Sequence, residues 1–261
     1  MSTVVLAAGG GEQFQPPGPE SVIFPPFAGG VTKPMVLLVL SIVIIGVFFW
    51  AALRKSSVVP GKLQFAAESV YDFARNTIGR DMIAGKDLRP YLPLLVTVFT
   101  FILVNNVFGF VPFLQLPTMS NPGIPYGIAV LVWLVYNGAG IARHGAAGYL
   151  KHQTWPPGVP GWIRPLVTPL EFISNVLVRP LTLSLRLFAN MFAGHLVLLV
   201  FTLGGEYLLL HAGAIGMVAG PLALVLGVVL SFFELMIQFL QAYIFTMLTA
   251  SYIGGALEEE H

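Results

Sequence analysis

The chain has 261 residues, of which 56% are hydrophobic and only 10% are charged, and its formal net charge is +1. Because soluble domains usually carry about 25% charged residues, this composition excludes a large water-soluble core and indicates a polytopic membrane protein. The near-neutral charge excludes nucleic-acid binding through a basic patch. The sequence contains no cysteine, which excludes disulfides, a thiol nucleophile and a cysteine-based metal site.

The N-terminal part of the chain predicts a tail, a span and a surface helix. Residues 1–34 are rich in Gly and Pro and predict an extramembrane tail, whereas residues 35–257 are predicted to form one integral membrane domain. Residues 35–53 are the first apolar run long enough to cross a bilayer. Residues 62–82 place apolar side chains on one helical stripe, which predicts an amphipathic helix on the membrane surface. The alternative is an ordinary helix packed on a soluble partner.

Two further apolar runs, residues 93–114 and 124–142, predict the second and third spans. Seven of the 13 Lys and Arg residues lie in the connection 54–92 and three lie in the connection 143–165. The connections 114–123 and 204–212 contain none. The positive-inside rule therefore predicts that both basic connections are cytoplasmic and that the N-terminus is outside. The C-terminus, with an acidic tail at 258–261, is predicted to be cytoplasmic.

The last two apolar stretches, 169–203 and 221–255, are longer than a bilayer requires. Each would form a helix about 52 Å long, against a hydrocarbon core of about 30 Å. Either each helix is steeply tilted or each is broken, and we favour steep tilt. The Gly220–Pro221 pair predicts the start of the last helix. The alternative divides 208–253 into a hairpin and moves the C-terminus outside. The predicted fold is thus an all-α membrane protein with five transmembrane helices and one surface helix.

Polar residues interrupt both long stretches at depths where lipid tolerates few of them. At 100° per residue, one face of the first stretch carries a small or polar stripe, formed by Asn175, Arg179, Thr182, Arg186, Asn190 and Ala193. His195 points to the opposite side of that helix. In the last stretch, one stripe is formed by Glu234, Gln238 and Gln241.

An antiparallel pairing of these two helices predicts the depth of each ionisable group. If Arg186 and Gln241 lie at the same depth, His195 lies about 13 Å outward and Glu234 about 10 Å outward. Glu171 then lies about 22 Å inward of Arg186, near the cytoplasmic boundary. His and Glu can relay protons, whereas arginine keeps its proton. The arginine would therefore block leakage between two protonatable routes and attract a carboxylate presented by a partner.

Structural alternatives remain open for these residues. An intramembrane cation can be satisfied by carbonyl groups, and a histidine or glutamate can serve helix packing alone; these alternatives apply to Arg186, His195 and Glu234. Arg179 precedes Pro180, which frees the carbonyl of Val176. Arg179 is predicted either to satisfy that carbonyl or to snorkel inward.

Three segments resemble one known family. The run RPLTLSLRLFANMFAGH at 179–195 resembles the signature of subunit a of the F-type ATP synthase. The run LSFFELMIQFLQAYIFTMLTASYI at 230–253 is similar to the family's final helix, and NNVFGFVPF at 105–113 is a weaker match. In this family the last two helices are strongly tilted, which agrees with the tilt favoured by their length. It covers most of residues 90–255.

The resemblance also implies roles for individual residues. Arg186 matches the family's essential arginine opposite the carboxylate of the c-ring, and Asn190 and Gln241 match polar positions near it. His195 and Glu234 match a pair that relays protons in the outer half-channel and reads acid then histidine in some members and histidine then acid, as here, in others. Gln238 is expected on the same path from its place on the stripe of Glu234. Glu171 resembles the inner-side carboxylate, although its spacing from Pro180 differs by a residue between members. This last difference leaves the role of Glu171 open.

The function expected from these observations is proton translocation through two offset half-channels, coupled to c-ring rotation and ATP synthesis. The expected partners are the c-ring, peripheral-stalk b-type subunits, protons and lipid, in a bacterial plasma membrane. No cofactor, metal or nucleotide chemistry is expected of this chain, which is not an enzyme by itself. The rival functions are a stand-alone secondary transporter or channel and a purely structural stator, and a transporter would usually show internal repeats.

Overall fold

The computed structural model describes residues 16–18, 32–54, 57–111, 118–154 and 163–258. Most of the predicted tail, residues 1–34, lies outside these ranges, as do residues 259–261 of the acidic tail. Every regular element in the described ranges is helical. Five of the helices are long and apolar enough to cross a membrane, which confirms the predicted all-α membrane fold.

The elements follow the predicted order. Helix α1 spans Lys33–Arg54, and α2 spans Lys62–Asp72 and continues through a π-helical segment, Phe73–Gly79, into α3, Arg80–Met82. Helix α4 spans Gly85–Val107 and α5 spans Gly123–Thr154. Helix α6, Arg164–Ile173, continues through a second π-helical segment, Ser174–Val178, into α7, Arg179–His211, and α8 spans Gly213–Leu257.

Helix α5 is two helices joined at a kink. Gly145 has φ 73° and ψ 159°, a left-handed conformation that glycine adopts without the penalty of a Cβ. The kink turns the chain back, so that the ring of Tyr149 packs against Gly140. The predicted third span, 124–142, is therefore the first arm of α5.

The two long helices form an antiparallel hairpin. The run Pro165–His211 has 47 residues and Gly213–Leu257 has 45 residues, so each is about 70 Å long. The turn lies at Ala212 and Gly213, where Gly213 has φ 56°. We call this end of the hairpin the turn end, and the end where α7 begins and α8 finishes the open end.

The last helix begins earlier than predicted. Pro221 lies inside α8, which is continuous from Gly213 to Leu257, so the alternative hairpin within 208–253 is wrong. The physical reason is close packing, because a Cβ on Gly205 would lie 3.2 Å from the carbonyl oxygen of Gly220. The backbones of α7 and α8 are thus in close contact next to Pro221. Membrane helices tolerate such an internal proline.

The surface helix predicted at 62–82 is present as a continuous helical segment. Its apolar stripe packs on the chain's own helices: Ala67, Ala74 and Ile78 are buried. The ring of Phe73 lies 5.2 Å from that of Phe99 in α4 and 5.8 Å from that of Tyr243 in α8. The stripe is therefore used within the chain, while Leu63, Ala66 and Tyr71 remain exposed.

The main core lies between α4, α5, α7 and α8, and includes Leu95, Ile102, Tyr136, Leu187 and Phe245. Helix α1 sits outside this core and is attached partly through a buried polar node. Asn105 donates to the hydroxyl of Ser41 over 2.9 Å and accepts from the hydroxyl of Thr118 over 2.8 Å. All three side chains are fully buried.

Candidate functional site

Arg186 lies near the middle of the continuous helical run 164–211 and projects from the hairpin. Its neighbours Leu183 and Leu187 are buried in the core, whereas Arg186 itself is exposed. On a helix with 3.6 residues per turn, Leu183 and Leu187 lie about 60° and 100° around the axis from Arg186, so they face the core while Arg186 lies at its edge. Within the described ranges, the guanidinium forms no ion pair. The site therefore presents a permanent cation on an outer face of the molecule.

The register of the hairpin is set by one polar pair. The amide of Asn190 donates to Oε1 of Gln241 over 2.9 Å. Arg186 precedes Asn190 by one turn, so it lies about 6 Å nearer the open end than Gln241. The predicted register, with Arg186 level with Gln241, is therefore displaced by one helical turn.

A glycine on α7 makes room for the carboxyl group of Glu234. A Cβ built on Gly194 would lie 3.0 Å from Oε1 of Glu234 and 3.4 Å from its Cγ. Glu234 is only 8% exposed. This places Glu234 level with the residue before His195, so the two ionisable groups lie at similar depth, as the antiparallel pairing predicts. His195 is half-buried, and no direct hydrogen bond joins it to Glu234 among the described contacts.

Buried polar atoms continue along α8 from this carboxyl group. Gln238 is 1% exposed, and its side-chain amide donates to Oε1 of Glu234 over 3.5 Å. The side-chain amide of Asn106 in α4 donates to the backbone carbonyl of Gln238 over 3.2 Å. Four atoms of this line have no hydrogen-bond partner among the described residues: Oε2 of Glu234, Oε1 of Gln238, Nε2 of Gln241 and Oδ1 of Asn106. Buried polar groups of this kind are normally satisfied by a partner or by water. The line can therefore hold water or protons.

Asn106 is the contributor that sequence reasoning did not assign to the site. The available signal was its position, since Asn105 and Asn106 are adjacent amides within an apolar run. They face different ways: Asn105 joins the node that holds α1, and Asn106 joins the line on α8. Adjacent residues on a helix point about 100° apart, so one pair of amides serves two contacts.

The open end of the hairpin carries the remaining predicted residues. Glu171 is half-buried on α6 and does not contact Arg186 in the described structure. Asn175 is buried and donates to the backbone carbonyl of Gln153 over 3.0 Å. The guanidinium of Arg179 lies over the ring of Tyr252, 5.1 Å from its centroid. The polar stripe predicted on α7 is thus divided between a buried open end and an exposed middle.

The carbonyl freed by Pro180 is not satisfied as predicted. Residues 174–178 are π-helical, and the backbone N–H of Arg179 bonds to the carbonyl of Ser174. In that pattern Pro180 would have bonded to Asn175, five residues back, but proline has no N–H. The hydroxyl of Tyr136 donates to the carbonyl of Asn175 over 3.0 Å instead. The π-turn thus moves the vacant acceptor from Val176 to Asn175.

Across the residues that the structure describes, no group of three or more His, Asp or Glu side chains is placed to hold a metal ion. The site residues carry carboxyl, imidazole, amide and guanidinium groups. Carboxyl and imidazole groups transfer protons, whereas the arginine remains a fixed charge.

Comparison with known proteins gives one consistent result. The family model described as ATP synthase A chain matches residues 35–254. A protein from Nocardioides sp. named ATP synthase subunit a is 50% identical over 271 residues, covering 98% of each chain. Relatives of the same name from Pseudarthrobacter chlorophenolicus and Rhodococcus erythropolis are 44% and 34% identical, covering all of this chain and 99% and 96% of theirs. The chain belongs to the ATP synthase A chain family.

Proposed function

We propose that this chain is the proton-translocating stator subunit of an F-type ATP synthase, which couples proton flow to c-ring rotation and ATP synthesis. The name shared by its relatives supports membership of that complex. The observation that carries the mechanism is Arg186, an exposed cation in an apolar helix with no acidic partner among the described residues. A charge at bilayer depth costs about 2.5–3.5 kcal/mol on insertion scales, so its partner belongs to another chain.

Arg186 acts as the barrier between two half-channels. Its guanidinium stays protonated at any biological pH, so it cannot relay a proton, and its charge repels one. A carboxylate on the c-ring that reaches Arg186 is favoured in its ionised form. The side chain of Leu185, next to Arg186, and that of Leu181, more than one turn earlier on α7, are exposed and apolar, which suits the helical surface of a ring passing through lipid.

The outer half-channel runs along the buried polar line of α8. His195 and Glu234 lie at similar depth toward the turn end, where they receive protons from outside and pass them toward the ring. The unpartnered atoms of Gln238, Gln241 and Asn106 supply positions for ordered water along that route. The proposal for these residues is supported by burial beside unsatisfied polar atoms, which a purely structural helix seam would avoid.

The inner half-channel passes Glu171 near the open end of the hairpin. The positive-inside rule places the basic connections, and with them the open end, in the cytoplasm, so the N-terminus lies outside and the C-terminus inside. The membrane is the plasma membrane of a bacterium. Peripheral-stalk b-type subunits hold the chain against the torque of the ring.

The energy for this cycle comes from the membrane. Each proton that crosses 100 mV releases about 2.3 kcal/mol, to which the pH difference adds. The chain's own part is to route the proton and to prevent a short circuit. Nucleotide chemistry belongs to other subunits of the complex.

A stand-alone secondary transporter or channel is the rival function, and reconstitution separates the two. Purified chain in proteoliposomes, with and without a c-ring, is challenged with a potassium diffusion potential while a pH dye reports proton flux. The proposal expects little flux from the chain alone and restored flux with the ring. Rapid flux from the chain alone would establish the transporter instead.

Substitution of the arginine tests the barrier directly. In inverted membrane vesicles, Arg186→Ala is expected to abolish ATP-driven acidification while passive proton leak persists or rises. Arg75→Ala is the matched control, because Arg75 is an exposed arginine on the surface helix that takes no part in the proposed proton path. Acidification by Arg186→Ala at the control's rate, with equal assembly on immunoblots, would remove the barrier role.

A further inference from the structure

The open end of the hairpin carries a cation–aromatic contact that the proposed proton path does not use. The guanidinium of Arg179 on α7 lies over the ring of Tyr252 on α8, 5.1 Å from its centroid. The same ring packs against Tyr136 of α5, with centroids 5.6 Å apart and planes at 54°. Arg179 is thus held by an aromatic pair that belongs to two other helices.

A second contact fixes the backbone at the same place. Tyr136 donates its hydroxyl to the carbonyl of Asn175, the acceptor left vacant by Pro180. Tyr136 is 1% exposed, so this bond is shielded from water. One tyrosine therefore supports the ring under Arg179 and also completes the π-turn from which α7 starts.

The register of this contact matches that of the polar pair in the middle of the hairpin. Arg179 precedes Asn190 by eleven residues, and Tyr252 follows Gln241 by eleven residues. Eleven residues complete three turns with about 20° left over and advance about 16 Å along the helix. The same faces of α7 and α8 therefore meet at both contacts.

Arg186 lies between these two contacts and on the same stripe of α7. The rotation of α7 around Arg186 is restrained by the core packing of Leu183 and Leu187 and by these two pairs, which lie on the same face as Arg186, one on each side of it. The two pairs therefore contribute to the direction in which the guanidinium of Arg186 leaves the helix. Neither pair touches that guanidinium in the described structure.

We propose that Arg179 is a positioning residue, which acts through the ring of Tyr252 to hold α7 at the rotation that presents Arg186 to its partner. This inference rests on the proposed function. The charge of Arg179 matters for the contact with the ring and does not take part in proton transfer. The ring of Tyr252 matters for its aromatic face, which attracts a cation.

The test compares variants that keep an aromatic side chain at position 252 and a cation at position 179 with variants that remove one of them. All are measured in the assembled complex. ATP-driven acidification and ATP hydrolysis are measured in inverted vesicles, and their ratio is normalised to the amount of assembled subunit. Tyr252→Phe, Tyr252→Trp and Arg179→Lys are expected to stay within about twofold of wild type, because each keeps a cation over a ring. Tyr252→Leu and Arg179→Gln are expected to lower the ratio about three- to tenfold, in line with the strength of such contacts.

A double variant distinguishes a shared contact from two separate effects. Arg179→Gln combined with Tyr252→Leu is expected to lose no more than the worse single variant. Losses that multiply would overturn the proposal, as would Tyr252→Phe performing as poorly as Tyr252→Leu. If Tyr252→Leu does not assemble, the comparison of Arg179→Gln with Arg179→Lys tests the proposal. Equal ratios of acidification to hydrolysis in those two variants also overturn the proposal.

A spectroscopic measurement reads the rotation itself. Because the chain has no cysteine, one cysteine introduced at exposed Leu177, which faces away from Arg186, can carry a nitroxide label. In a complex assembled with cysteine-free partner subunits, this label reports the surroundings of the start of α7. The spectrum is expected to change in Arg179→Gln and to stay unchanged in Arg179→Lys, and an unchanged spectrum in both overturns the proposal. Arg186→Ala is measured in parallel. Normal pumping by that variant refutes the proposed function, whereas lost pumping there with normal Arg179→Gln refutes the positioning role alone.

Discussion

Enlarging the glycine that faces Glu234 offers a graded test of the outer route. A Cβ at Gly194 would lie 3.0 Å from Oε1, 3.2 Å from Cδ and 3.4 Å from Cγ of Glu234. Ordinary contacts begin near 3.4 Å, so alanine requires the carboxyl to move by a few tenths of an ångström. The end of a glutamate side chain can make that shift at a cost of about 0.5–1.5 kcal/mol. Replacing a helical glycine with alanine returns up to about 1 kcal/mol, so the two effects nearly cancel.

Valine removes this balance. Its two methyl groups extend about 1.5 Å beyond Cβ and enter the space that the carboxyl of Glu234 occupies. The carboxyl must then leave its position in the polar line. We expect Gly194→Ala to keep at least about half of the ATP-driven pumping rate and Gly194→Val to keep less than about a tenth, a difference of roughly 1 kcal/mol or more in the barrier.

The assay is ATP-driven acidification of inverted vesicles, normalised to assembled complex. Gly255→Val is the control, since Gly255 lies in α8 with no atom within 4 Å of its Cβ position, and it introduces the same β-branched residue into a helix. Wild-type pumping by Gly194→Val at normal assembly would show that the carboxyl of Glu234 is not required where it lies.

Three further predictions concern stability and assembly. Asn105→Ala leaves Ser41 without its buried donor and should lower the free energy of unfolding by about 1–3 kcal/mol, measured by denaturant titration in mixed micelles. Alanine substitution at Asn190 and Gln241, singly and together, should give a coupling of about 0.6 kcal/mol and at most about 1.7 kcal/mol in the same titration; zero coupling would contradict the observed bond. A side chain at Gly254 would meet the backbone carbonyl of Met82, the last residue of the surface helix. We therefore expect Gly254→Val to reduce the amount of chain in the membrane on immunoblots, relative to Gly255→Val.

Sequence reasoning identified the helices because the composition forces them into a membrane, where an unsatisfied backbone is too costly for other structures. It placed the last helix too late because Gly220 and Pro221 read as a helix start in water. In the protein, Gly220 serves the close approach of α7, and the proline is carried within a helix that packing holds together. The low helix propensity of Gly220 and Pro221 is therefore outweighed by the contact between α7 and α8, which the sequence pattern does not reveal.

The candidate site was predictable in composition but not in register. Periodicity placed Glu234 and Gln238 on one face, since that depends only on spacing within one helix. The pairing of α7 with α8 depends on which side chains meet, and the observed bond joins Asn190 rather than Arg186 to the level of Gln241. The π-turn at 174–178 could likewise not be predicted. It differs from an α-turn by one inserted residue, and it depends on a hydrogen bond from Tyr136, which lies on another helix.

The contact between α7 and α8 is closely packed through glycines toward the turn end and is lined by polar side chains further along. This difference limits where water can enter. Toward the turn end, glycines bring the backbones together, with a Cβ position on Gly205 only 3.2 Å from the carbonyl oxygen of Gly220. That spacing leaves no room for water between the helices. Glu234 nevertheless has an unsatisfied carboxyl oxygen, and the next polar group outside the seam is Asn106 of α4, bonded to Gln238. We therefore expect protons to reach Glu234 from the α4 side of α8, because the direct line along the hairpin is closed by its own backbone.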